Sequence, residues 1–299
     1  MSAGKSGPRP VDFLLLAVLL GWAVIALLGA ELAQYLPIDT STEIIPRALA
    51  PSPAHPLGTD SLGRDMLDRL LVGMRTTMGV GIGATIIAIL FGTIYGGIAG
   101  LSGPKTDEIL MRGVDVGLAL PYMFLVILLV SVFGRSLLLL FIALGLVEWL
   151  PLARVVRAGI RKLRDEPYLE AARMMGGGPG YVLRVHLFPQ LWGPLVVYST
   201  LMLPVVMMQE AFLSFLGLGV PPPDASWGTL IAEGLSRAGT APWILFSSAG
   251  SLGLFLVCLH AAGDRLARFM DVRGTTGYAR PDLSATAGAL SESHEEVVE

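Results

Sequence analysis

Six long apolar stretches alternate with short polar ones along the chain. Phe13 to Ala30, Thr76 to Pro104, Val116 to Gly134, Leu187 to Gln209 and Ala238 to Gly263 hold no Asp, Glu, Lys or Arg, and Ser136 to Ala153 holds only Glu148. A helix that crosses a bilayer needs about 20 apolar residues. The pattern therefore predicts an all-α integral membrane protein with six transmembrane helices. The first run exceeds the roughly 7–15 residues of a signal-peptide core, so it is read as a retained span.

Between the runs the polar segments carry their own patterns. Residues 37 to 58 are rich in Pro, Thr and Ser and read as a loop. A short helix is expected next, capped by Thr59, Asp60 or Ser61. Its Leu62, Met66, Leu67, Leu70, Leu71 and Met74 form one stripe, and Arg64, Asp65, Asp68 and Arg69 form the other. Ser102 to Asp115 reads as a short mixed-charge loop, with Pro121 near the start of the third span. After the fifth span, Gly217, Gly219 and Pro221-Pro222-Pro223 forbid a continuing helix, so the chain turns there. The tail from Gly274 to Glu299 is polar and ends acidic, too poor in apolar residues to pack.

Composition agrees with the bilayer reading: 53% hydrophobic and 15% charged residues, with mean hydropathy +0.66. The net charge of -3 is uninformative about partners, because the charges are segregated along the chain. Placing the N-terminus in the cytoplasm puts 15 Lys and Arg inside and 6 outside, which satisfies the positive-inside rule. The chain then divides into a cytoplasmic start (1–10), a first span (11–36) and an external loop with an amphipathic helix (37–75). A core of five spans (76–269) follows, with a cytoplasmic loop at 154–190, and a tail (270–299) closes the chain.

That cytoplasmic loop is the most informative stretch, DEPYLEAARMMGGGPGYVLRVHLFPQ from Asp165 to Gln190. Asp165 or Glu166 can cap a helix whose first turn holds Pro167. Tyr168 to Met175 continues with good helix formers, and Gly176-Gly177-Gly178-Pro179 ends it. A membrane protein has little reason to keep such a helix outside the bilayer unless a partner docks on it. Ala171 and Ala172 leave room for close approach.

Catalytic chemistry is missing from the sequence. The glycine-rich Gly176 to Gly180 lacks the GK[ST] ending of a P-loop and follows a helix instead of a strand. His55, His186, His260 and His294 are scattered, without metal-ligand spacing. The single cysteine, Cys258, lies in an apolar run and can form no intrachain disulfide. No metal site, bound cofactor or nucleic-acid surface is expected.

The Asp165–Gln190 segment resembles the EAA loop of ABC-importer membrane subunits. Glu170-Ala171-Ala172, Gly176 four residues later and His186-Leu187-Phe188-Pro189 occupy the family's spacing; Phe188 and Gln190 depart from its usual Leu and Asn. HPLGTDSLGRDMLDRLLVGMRTTM before the second span resembles the C-type permease of dipeptide and oligopeptide importers. FLSFLGLGVPPPDASWGTL from Phe212 and GDRLARFMDVR from Gly263 are similar to the same subfamily.

The resemblance implies a type I importer permease whose Glu170, Ala171, Ala172, Arg173, Gly176, His186 and Pro189 form a coupling site. It implies two cytoplasmic ATPase subunits that use ATP and Mg, a second and different permease, and an extracytoplasmic substrate-binding protein. The expected location is a bacterial or archaeal cytoplasmic membrane with both termini cytoplasmic. Glu170 is expected to take a charge-assisted bond from an ATPase arginine, or else to serve helix solubility through Arg173.

Two carboxylates inside the spans must face protein or water. Glu210 either lines the translocation path, meeting a peptide amine, or bonds a neighbouring helix end or serine. Glu148 is expected to pair with Arg154 or Arg157. The alternatives are a relative that carries nickel, glutathione or another small solute, and, from a different class, an ATP-independent secondary transporter.

Overall fold

The structure, a computed structural model, describes Gly21 and residues 48–164, 166–221 and 224–271. The expected first span and the acidic tail lie outside the described residues. Eight principal helices follow one another: α1 (Met66–Leu101), α2 (Pro104–Ala119), α3 (Tyr122–Phe133), α4 (Leu137–Arg164), α5 (Pro167–Met174), α6 (Phe188–Phe215), α7 (Trp227–Ser236) and α8 (Pro242–Asp271). No β-strand occurs among the described residues. Four of these helices are long and apolar enough to cross a membrane, and the bent pair α2–α3 makes a fifth candidate.

The amphipathic helix expected from Thr59 to Ser61 does not begin there. Asp60 accepts the amides of Leu62 and Arg64 at 2.8 and 2.9 Å, and Gly63 sits at φ 80°. These features close a turn that a helix cannot enter. Asp65 caps α1 instead, accepting the Leu67 amide at 2.7 Å. The expected surface helix is thus the first turns of one continuous helix of 36 residues. At 1.5 Å per residue α1 is about 54 Å long, well beyond a hydrocarbon core of about 30 Å, so it projects from the bilayer.

The expected loop Ser102 to Asp115 also proves helical. Pro104 opens α2 at a position where its missing N–H costs nothing. Pro121 then forces Leu120 into the extended region, and the chain bends by 79° into α3. Val116 to Gly134 is therefore a broken stretch, not one straight span. Beyond it, α4 runs past the apolar segment to Arg164, with Arg161, Lys162 and Arg164 in its last turn, where cations suit the helix dipole.

α1 and α4 form the most extensive pair. Gly92, Gly96 and Gly100 recur every fourth residue of α1, each against α4. A Cβ at Gly92 would meet the Leu152 side chain at 2.9 Å, one at Gly100 the Ile160 side chain at 2.8 Å, and one at Gly96 would run into the Ala153 carbonyl. Gly145 of α4 returns the contact against Ile87. Close approach through small residues is how helices associate where lipid removes the hydrophobic drive between them.

The other half of the bundle centres on Trp227. Its fully buried ring packs edge-on to Phe255 with centroids 5.7 Å apart, and its indole N–H donates to the Leu70 carbonyl at 3.1 Å. Met66, Leu70, Met207 and Leu230 complete this core. Trp227→Ala is expected to lower stability by about 3–5 kcal/mol, read as a thermal shift of the purified chain in detergent. An unchanged midpoint would show that the pocket is not structural.

Candidate docking site

α5 is short because its two ends are specified by backbone geometry. The Glu166 carbonyl accepts the amides of Leu169 and Glu170, so Glu166 stands at the helix start; the alternative cap, Asp165, lies outside the described residues. At the other end Gly176 takes φ 89°, and the Gly177 amide returns to the Ala172 carbonyl at 3.0 Å. That pairing with a left-handed glycine is the Schellman type of helix stop.

The two faces of α5 differ sharply. Leu169 and Ala172 are buried at 0% and 4% exposure. Leu169 belongs to the same buried apolar cluster as Leu152, Val156, Ile160 and Leu187, which links α5 to α4 and to the approach to α6. Glu170 and Ala171 are exposed on the opposite side. Of the two alanines expected to leave room for a partner, Ala171 is exposed and Ala172 is buried. Met174 and Met175 add two apolar side chains at 81% and 83% exposure. The sequence reading assigned them no role; a pair of methionines just before a glycine stop was the available signal, since flexible thioethers suit adaptable surfaces.

A second set of contacts fixes the helix from behind. The Gln190 amide donates to the Tyr168 hydroxyl at 2.7 Å. His186 stands edge-on to both Tyr168 and Tyr181, with centroids at 6.2 and 5.7 Å. Between α5 and α6 the chain passes through a short turn, Pro179–Tyr181, and a π-helical turn, Val182–Leu187. Leu187 is fully buried, whereas Pro189 is exposed in the first turn of α6. His186 thus belongs to the support behind α5 and Glu170 and Ala171 to its free surface, while Pro189 joins neither group. Arg173 lies within α5.

Charges tie the base of this unit to α2. Arg157 of α4 forks onto Asp107 at 2.5 and 2.6 Å, with Arg161 3.2 Å from the same carboxylate. Arg154 reaches Asp115 at 2.5 Å. The Arg157 hydrogen bond holds the Asp107 carboxyl below its usual range. The expected pairing of Glu148 with Arg154 or Arg157 is therefore not formed. At 100° per residue both arginines leave α4 on the far side from Glu148. Glu148 instead accepts from the Gln209 amide at 2.8 Å.

Glu210 lies apart from the docking residues, near the α7 end of α6. It is fully buried and accepts from the Ser214 hydroxyl at 2.6 Å. Among the described residues no group of His, Cys, Asp and Glu could hold a metal ion.

These features define a multi-pass helical membrane protein with a short helix, α5, that buries one face and leaves the other exposed. Residues 92–272 match the family described as binding-protein-dependent transport system inner membrane component. The oligopeptide transport system permease protein OppC of Haemophilus influenzae is 40% identical over 78% of this chain and 75% of its own. OppC of Escherichia coli K12 is 38% identical, covering 86% and 85%, and the dipeptide permease DppC of Bacillus subtilis is 36% identical, covering 86% and 80%.

Among solved structures, an inward-facing crystal form of the MetNI methionine ABC transporter matches at TM-score 0.56. It is 19% identical and covers 69% of this chain and 97% of that one, which speaks for the fold alone. The chain belongs to the family of binding-protein-dependent transport system inner membrane components.

Proposed function

We propose that the chain is a membrane-spanning permease subunit of an ATP-driven importer of di- or oligopeptides. The substrate class is supported by the oligopeptide and dipeptide permeases to which it is similar. The observation that carries the coupling role is α5: a helix whose Leu169 and Ala172 anchor it while Glu170, Ala171, Met174 and Met175 stay free. In this reading α5 faces the cytoplasm and inserts into a cleft of an ATPase subunit. Two such ATPases, a second permease and an extracytoplasmic binding protein complete the complex, in a bacterial or archaeal cytoplasmic membrane.

The coupling is thermodynamic. ATP binds the closed arrangement of the ATPases better than the open one, and so shifts every element fastened to them. α5 transmits that shift because its contacts leave it little freedom against α4 and α6. Arg157 and Arg161 extend the same rigid unit to α2 through Asp107.

Affinity capture of the tagged chain from detergent-solubilised native membranes tests the assembly. Recovery of two P-loop ATPases and a second permease is the expected result, followed by ATP-dependent uptake of a labelled tripeptide in proteoliposomes. Recovery of the chain alone, under conditions that preserve known complexes, would refute the reading.

A further inference from the structure

The conspicuous sequence motif ahead of α1 has no part in the docking site, yet the structure folds it tightly. The Thr59 amide donates to the Leu49 carbonyl at 3.0 Å, and the Leu49 amide donates to the Thr59 hydroxyl at 2.7 Å. His55 Nδ1 lies 2.7 Å from Asp65 Oδ2. This folded segment is then fastened to α7, far along the chain. Arg69 Nη1 donates to Asp60 Oδ2 at 2.8 Å and to Glu233 Oε2 at 2.6 Å, 164 positions later. The Ser61 hydroxyl donates to the other oxygen of Glu233 at 3.0 Å. From α8, the Trp243 indole N–H donates to the Thr59 carbonyl at 3.1 Å.

We infer that Arg69 is a positioning residue, a strut that keeps the 48–65 segment, α7 and this end of α1 together as one rigid body throughout the transport cycle. Arg64 and Arg69 balance the charges of Asp60 and Glu233, and Asp60 is fully buried. If α7 swung away, Arg69, only 13% exposed, would lose Glu233 and the Ser61 hydroxyl would lose its acceptor, an unfavourable exchange. The packing beneath is equally unyielding. Gly228 of α7 lies against the backbone of Ala211 in α6, and Gly234 against that of Leu245 in α8. The opening that admits substrate therefore lies elsewhere in the complex, and α7 moves with the segment before α1.

The inference rests on the importer reading only where it speaks of transport, so one of its readouts does without transport. In a Cys258→Ala background, Ser61→Cys and Glu233→Cys would be joined by a short bifunctional thiol reagent in the full complex. Because Glu233→Cys itself removes an anchor of Arg69, the unlinked pair is expected to exchange faster in α7 than wild type, and the cross-linked complex to take up substrate no more slowly than the unlinked one. Arg69→Gln is expected to raise amide exchange in α7 of the purified chain about tenfold and to slow uptake. The cross-link, added to Arg69→Gln, is expected to reverse both effects, a rescue that a mere folding defect would not show.

Uptake that stops on cross-linking and returns on cleaving the link would overturn the strut, because α7 would then have to part from the segment in each cycle. Wild-type exchange in Arg69→Gln would overturn it as well.

Discussion

Glu170→Arg is expected to cut ATP-driven uptake about 100-fold while leaving the chain folded and in the membrane. The side chain is exposed, and a substitution at such a position changes stability by only about 0.5 kcal/mol. Its effect must therefore be on a partner. A hydrogen bond to a charged group contributes about 1.5–3 kcal/mol, and juxtaposed like charges add a comparable penalty. A combined loss of about 3 kcal/mol corresponds to about two powers of ten. Uptake in vesicles and retention of the ATPases on the captured complex are the two measurements. Wild-type uptake with the ATPases still bound would remove Glu170 from the coupling site. Glu170→Gln keeps the shape and loses the charge, so it is expected to fall between wild type and Glu170→Arg.

The second large effect concerns folding. Gly96→Val places a branched side chain where a single Cβ already runs into the Ala153 carbonyl and lies 2.9 Å from the Val156 Cβ. A flexible side-chain tip could move aside; a backbone carbonyl in the middle of α4 cannot. Overpacking of a tight core costs about 1–3 kcal/mol and occasionally more, and this site belongs at the upper end. The expected result is a chain that accumulates poorly and, once purified, melts well below wild type. Gly79→Ala is the matched control, because nothing lies within 4 Å of the position its Cβ would take. Equal losses in both variants would mean that any added side chain disturbs α1, and that the α1–α4 contact is not responsible.

The bounds of α5, the candidate docking helix, were legible along the chain because their signals are local. Pro167 opens α5, Gly176 stops it by adopting φ 89°, and the residues between them are good helix formers. Each depends on a few neighbouring residues. The burial of Ala172 was not legible, since Ala171 and Ala172 are the same residue type one position apart. Their 100° separation around the helix becomes burial or exposure only once the end of α4 and the approach to α6 are in place. The support formed by Tyr168, His186 and Gln190 was hidden for a related reason. It joins residues on both sides of a glycine-rich turn, and the intervening π-helical turn sets their mutual orientation.

The misread elements share a cause. The amphipathic stripe from Leu62 to Met74 is present, but periodicity alone could not tell a separate surface helix from the projecting end of a longer one. The Asp60 turn and the Asp65 cap settled that. Likewise Glu148 was assigned arginine partners from its own helix, whereas its hydrogen bond comes from Gln209, 61 positions away.

By itself, the sequence determined the class: apolar runs long enough to cross a bilayer, a polar helix between two of them, and the start and stop of that helix. These follow from hydropathy and backbone chemistry acting over one or two turns. The tertiary structure alone decided which face of α5 is free, which carboxylate meets which donor, and how the segment before α1 is pinned to α7 through Arg69. Those outcomes depend on groups separated by scores of residues, whose meeting is fixed by the close α1–α4 contact and the core around Trp227.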